Sequence, residues 1–204
     1  MDLTAEAAGG LAIALPTVAT AQKSEIHDLR GSVKVNGKPI DRKALIVAGD
    51  LVETGSDGYI VFVIGDDAFM LRSRSELRIE KAQDSLAVSA LRLLTGALGA
   101  VFKAGAARSI KVMNVTAGIR GTGVYMETRA QGTYFCTCFG KVELNVDGAP
   151  NDREWVEAQH HTPRWILAQP KDGALFQSAA VETHTDEEMD ILEKCVGRRA
   201  PWVK

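Results

Sequence analysis

The stretch Phe69-Met70-Leu71-Arg72-Ser73-Arg74-Ser75-Glu76-Leu77-Arg78-Ile79 decides the fold class. Phe69, Leu71, Ser73, Ser75, Leu77 and Ile79 occupy one set of alternate positions, and Met70, Arg72, Arg74, Glu76 and Arg78 the other. Successive strand side chains point to opposite faces, so this period of two predicts one strand over 69–79 with an apolar and a wet face. Upstream, Tyr59 to Ile64 is apolar at every position between Asp57-Gly58 and Gly65-Asp66-Asp67 turns, which predicts a strand buried on both faces. Val33-Lys34-Val35 runs into Asn36-Gly37, a pair suited to the hairpin turn that needs positive φ at both central positions. Downstream, Val142, Leu144 and Val146 alternate with Lys141, Glu143 and Asn145. Leu86 to Leu94 fits a helix and a strand equally, but glycines at 96, 99, 105, 118, 121, 123, 132 and 140 recur too densely for long helices. The expectation is a mainly β chain: a twisted antiparallel or solenoid-like module with a short C-terminal helix.

That helix is expected over 186–196. Thr185-Asp186-Glu187-Glu188 has the spacing of a capping box, Met189, Leu192 and Val196 recur at helical intervals, and Gly197 stands where a C-terminal cap belongs. Pro150 to Arg153 reads as a loop, so a boundary near 150 divides a β module over 31–150 from a tail over 151–204.

At 204 residues, with 46% hydrophobic and 25% charged residues, the composition is that of a globular domain and excludes a disordered chain or a multi-span membrane protein. Lysine and arginine number 24 against 26 acidic residues, so there is no basic excess for gripping phosphates and no nucleic-acid partner is expected. Ala7 to Ala21 carries no charge, contains Leu11-Ala12-Ile13-Ala14-Leu15 and closes on Ala19-Thr20-Ala21, the pattern of a signal-peptide core and cleavage site. Its acidic beginning, Asp2 and Glu6, suits a truncated signal over 1–21 whose natural start lies upstream, followed by a linker over 22–30. The alternative is an N-terminal tail. Nothing after residue 21 offers about 20 consecutive apolar residues, so the expectation is a periplasmic or otherwise exported protein with no membrane span after cleavage.

Several pieces in order carry a resemblance: Gly31-Ser32-Val33-Lys34-Val35, Val47-Ala48-Gly49-Asp50-Leu51-Val52-Glu53-Thr54-Gly55, the Phe69 to Ile79 alternation, Leu94-Thr95-Gly96-Ala97, Ile119-Arg120-Gly121-Thr122-Gly123-Val124-Tyr125 and Gly140-Lys141-Val142-Glu143. Over residues 31–146 the chain resembles the FecR domain, a family named after the regulator of ferric-citrate transport. The resemblance implies an envelope-exposed all-β module that works by binding an envelope protein or a small ligand. Signalling members of that family also carry a cytoplasmic sigma-factor-binding segment and a transmembrane helix, which this sequence does not show. The expected role is therefore a stand-alone binding or scaffold module; the alternative is a component of an iron-related cell-surface signalling system.

Gly118-Ile119-Arg120-Gly121-Thr122-Gly123 is no phosphate loop, because a strand pattern and not a helix follows it; tight turning between strands is expected. Arg120 is the candidate ligand contact, or else a buried ion-pair partner. Cys136-Thr137-Cys138 is the candidate chemical centre. On a strand both sulfurs share a face and can ligate one transition metal, with His160 or His161 as the imidazole partner, or act as a redox-sensitive clasp between the β module and the tail; His184 and Cys195 lie close to the last helix. Alternatives are a disulfide from Cys195 to Cys136 or Cys138, and buried structural thiols. No nucleophile elbow, HExxH motif or P-loop is present, so an enzyme, metal- or thiol-dependent, is the least favoured reading.

Overall fold

The computed structural model describes residues 24–81, 88–105 and 107–204. The stretch read as a signal, 1–21, lies outside them. Among the described residues the fold is mainly β, 58% strand, with a curled half-barrel sheet and a single short C-terminal helix. In order the strands are β1 (Ser24–Arg30), β2 (Val33–Val35), β3 (Lys38–Pro39), β4 (Leu51–Thr54), β5 (Tyr59–Ile64), β6 (Asp67–Leu71), β7 (Glu76–Lys81) and β8 (Val88–Thr95). There follow β9 (Ala97–Val101), β10 (Ala107–Val112), β11 (Val115–Arg120), β12 (Gly123–Arg129), β13 (Gly132–Val146), β14 (Arg153–Ala158), β15 (Thr162–Lys171), β16 (Ala174–Ser178) and helix α1 (Asp186–Cys195).

The long strand β13 joins the two halves of the sheet. Its first part pairs with β12 and β15, and its second with β11 and β14. Gly140 sits between the two parts at φ 88°, where a Cβ would come within 2.4 Å of Thr122 Cγ2, so only glycine lets the strand pass there. One half holds β1, β5, β6, β9 and β12; the other holds β2, β3, β4, β7, β8, β10 and β11. Phe62, Phe69, Leu98, Met126 and Phe135 from the first half form one buried cluster with Leu77, Ile79, Ile110, Leu144 and Val156 from the second. The outer face of the first half carries a second cluster, in which Val61, Val63, Met70, Tyr125 and Tyr134 meet Met189 and Leu192 of α1.

The hairpin at Asn36-Gly37 forms as expected, with φ 51° and 75°. The helix starts at its capping box: Thr185 Oγ1 accepts from Glu188 N, and Glu188 Oε2 accepts from Thr185 N at 3.0 Å. It ends one residue earlier than expected, with Val196 as its cap.

The stretch 69–79 is not one strand. Thr54 Oγ1 donates to Arg72 O at 2.6 Å and accepts from Ser75 N at 2.9 Å, and Arg74 takes φ 55°, so the chain turns a corner at 72–75. β6 then lies in one half and β7 in the other. The expected wet face at Met70 is dry because α1 covers it. The expected linker is also structured: Ser24 to Arg30 pairs antiparallel with β5. The described part of the ambiguous 86–94 stretch is strand β8. Beyond residue 150 the sheet continues, since β14 and β15 pair with β13 and β16 pairs with β15.

Candidate functional site

β13 alternates between the two clusters. Phe135 points to the inter-sheet core, whereas Cys136 and Cys138 point to the outer face beneath the C-terminal segment, both fully buried. The β14–β15 connection returns over them: His161 takes φ 37°, its N–H donates to Cys138 O at 2.9 Å, and its Nδ1 reaches Cys136 Sγ at 3.6 Å. The segment entering α1 supplies His184, whose Nε2 lies 3.1 Å from His161 Nδ1. One ligand atom each from Cys136, Cys138, His161 and His184 thus converge, all within 4.8 Å of one another.

The far side of each imidazole is anchored. His161 Nε2 meets Asp186 Oδ1 at 2.7 Å, and His184 Nδ1 meets Glu182 O at 2.7 Å. Both anchors are acceptors, so each outer nitrogen carries a hydrogen, and each inner nitrogen, when deprotonated, turns a lone pair toward the sulfurs. Aromatic rings close the surroundings: Tyr125 stacks on His184 at 4.5 Å between centroids, and Trp202 lies 5.2 Å from the His161 ring.

The cluster polarises its own thiols. Cys136 is drawn well below the ordinary thiol range, first by its hydrogen bond with Cys138 and then by those with His161 and His184, while Cys138 is pushed well above it, chiefly by burial. His161 is raised by its hydrogen bond to Cys136 and, next among the favourable contacts, by Asp186. Asp186 lies below the usual carboxylate range: burial opposes its charge, and the hydrogen bonds from His160 and His161 outweigh that.

Of the two imidazoles offered as partner to Cys136 and Cys138, the structure brings in His161 and leaves His160 out of the thiol cluster. His160 is exposed and gives its Nε2 to Asp186 Oδ1 at 2.8 Å. The two histidines sit in a turn, not on a strand, so their rings lie side by side, 4.7 Å apart, instead of on opposite faces. The fourth member is His184. Its position directly ahead of the Thr185 cap was the available signal, since a residue there is held by the start of the helix. Cys195 lies at the far end of α1, and Cys136, Cys138 and Cys195 are free thiols in this structure.

Arg120 lies elsewhere, at the end of β11. The turn after it joins β11 to β12, as expected of the glycine-rich stretch. Arg120 is exposed and not a buried ion-pair residue. With Arg108, Gly118, Lys141, Glu143 and Trp155 it lines a groove of about 360 Å³. Trp155 is 56% exposed, and Lys141 Nζ lies 5.3 Å from its ring centroid. Gly118 stands opposite Glu143, and a Cβ there would touch nothing nearer than 3.9 Å. Packing does not demand that glycine; its effect is to leave the groove floor open.

No family model, curated protein or solved structure matches the chain.

Proposed function

We propose that this protein is an exported, FecR-like binding module of a bacterial envelope that takes a small ligand in the Arg120–Trp155 groove. The observation that carries the reading is the juxtaposition of an exposed indole, the Arg120 and Lys141 cations and the Glu143 carboxylate around a floor that Gly118 leaves bare. An aromatic platform with a few convergent polar groups, in a volume of a few hundred Å³, suits a small ring-shaped ligand. Arg120 offers a cation to an acidic one, and an acidic sugar of the cell envelope has both the flat face and the charge.

The FecR-like motifs support a binding role because their residues build the framework. Asp50 accepts from Val47 N at 2.8 Å and from Asn36 Nδ2 at 2.7 Å, and Thr54 makes the corner at 72–75.

Calorimetry with soluble cell-wall fragments tests the reading. Binding that weakens at least tenfold in Trp155→Ala and Gly118→Leu, with unchanged circular dichroism, is the expected result. Failure to bind any acidic or neutral glycan overturns it. Co-purification of a TonB-dependent receptor or an anti-sigma factor from envelope fractions replaces it with the signalling reading.

A further inference from the structure

We propose that Cys136, Cys138, His161 and His184 bind one zinc ion, which clasps the C-terminal segment to the outer face of the sheet. This goes beyond the groove reading and uses none of its residues, so either stands without the other.

With zinc bonds of about 2.3 Å to sulfur and about 2.05 Å to nitrogen, a tetrahedron has a sulfur–nitrogen edge of about 3.6 Å and a nitrogen–nitrogen edge of about 3.3 Å. The Cys136 Sγ to His161 Nδ1 distance is 3.6 Å, and His161 Nδ1 to His184 Nε2 is 3.1 Å. Two of the six edges thus match a zinc tetrahedron, and all four ligand atoms lie within 4.8 Å of one another.

Chemistry narrows the occupant. Two sulfurs and two imidazole nitrogens make a borderline-soft donor set that suits zinc, whereas magnesium and calcium need oxygen. The outer hydrogen bonds are those that metal-ligating histidines make: a carboxylate on one imidazole and a backbone carbonyl on the other, fixing the tautomer that presents a lone pair inward. Without a cation, two inward lone pairs 3.1 Å apart are relieved only by a proton, which serves one pair of atoms; a divalent ion serves all four.

The competing arrangement is a disulfide between Cys136 and Cys138. Residues i and i+2 of a strand have Cα atoms roughly 6.6 Å apart, at the upper edge of what a disulfide spans. Both are free thiols here.

Four protein ligands leave no open coordination position, the mark of a structural and not a catalytic zinc site. What it holds together follows from where the ligands lie. Cys136 and Cys138 belong to β13, His161 to the β14–β15 turn, and His184 to the approach to α1. One ion therefore ties the sheet, the turn and the helix entrance at one point. Asp186, at the first position of α1, adds a second tie by orienting His161. Asp186 is a positioning residue and touches no metal in this arrangement.

The test uses the full chain made without a histidine tag and purified under reducing conditions. One zinc per chain by elemental analysis is expected. Replacement by cobalt(II) should give thiolate-to-cobalt charge-transfer bands in the near ultraviolet and the intense visible bands of a tetrahedral ion. Cys136→Ser/Cys138→Ser and His184→Ala should lose them, and His160→Ala should keep them. Asp186→Asn should bind zinc about 10- to 100-fold more weakly with the cobalt spectrum unchanged in form. If the cysteine variant does not fold, the unmodified chain decides alone. A chain that holds no zinc and shows no thiolate band with cobalt overturns the proposal. So does loss of the bands in His160→Ala as complete as in His184→Ala.

Discussion

The two faces of the first half-sheet are built from different materials. The inner face meets the other half through Phe62, Phe69, Leu98 and Met126, a dry aliphatic and aromatic core that needs only burial to hold. The outer face carries Tyr125, Tyr134, Cys136 and Cys138 under a ten-residue helix and its flanks. A single short helix has little apolar surface to offer, and it is held by specific contacts as well. Arg72 reaches Glu188 at 2.7 Å and Thr183 O at 2.6 Å, Tyr134 donates to Ala180 O at 3.1 Å, and the Cys/His centre lies at the helix entrance. Apolar burial joins the two half-sheets, whereas the C-terminal segment is held by burial of Met189 and Leu192 together with specific polar contacts.

Truncation on each side breaks the comparison most strongly. Phe69→Ala empties space in the inner core and should cost about 3–5 kcal/mol, seen as a lower denaturation midpoint for the whole molecule. Leu192→Ala, on the helix side, should cost about 2–3 kcal/mol and act first on the segment after residue 178, seen as faster proteolysis there before the sheet melts. Equal global destabilisation by both would merge the two regions into one cooperative unit.

A smaller effect separates surface ion pairing from either core. Asp147 sits below the ordinary carboxylate range because of its hydrogen bond to Lys111, helped by Thr116 Oγ1 at 3.0 Å. A lowered folded-state value adds stability above the unfolded carboxylate range, and that stability is lost as pH falls through the folded value. Both side chains are more than a third exposed, so Lys111→Met should lower stability at pH 7 by less than about 1 kcal/mol. The difference from the unmodified protein should vanish near pH 2. A gap that persists there would assign the loss to lysine packing instead.

Much of this was legible in the sequence where periodicity carried it. Tyr59 to Ile64 needed only its unbroken apolar run, and α1 only its capping box. The corner at 72–75 was not legible, because Ser73 and Ser75 fit the alternation as well as any small residue, and the turn is made by Thr54 from a distant strand. Met70 looked wet for a similar reason: its cover arrives more than a hundred residues later. At the centre, Cys136 and Cys138 could be read from their spacing. Choosing His161 over His160 depended on the left-handed backbone of His161, and recruiting His184 depended on where the helix returns. Arg120 could be singled out, but its groove also needs Gly118 two residues earlier on β11, Lys141 and Glu143 on the adjacent β13 and Trp155 one strand further on, on β14.

A metal-bound Cys/His centre is proposed to fix the C-terminal segment while the inter-sheet core stands on its own. Hydrogen exchange, compared between the zinc-loaded protein and the protein after chelation, tests it most directly. The account predicts that amides over 182–196 lose protection on chelation, while those of β6, β9 and β12 keep theirs. Unchanged protection over 182–196, or loss across the whole sheet at once, would contradict it.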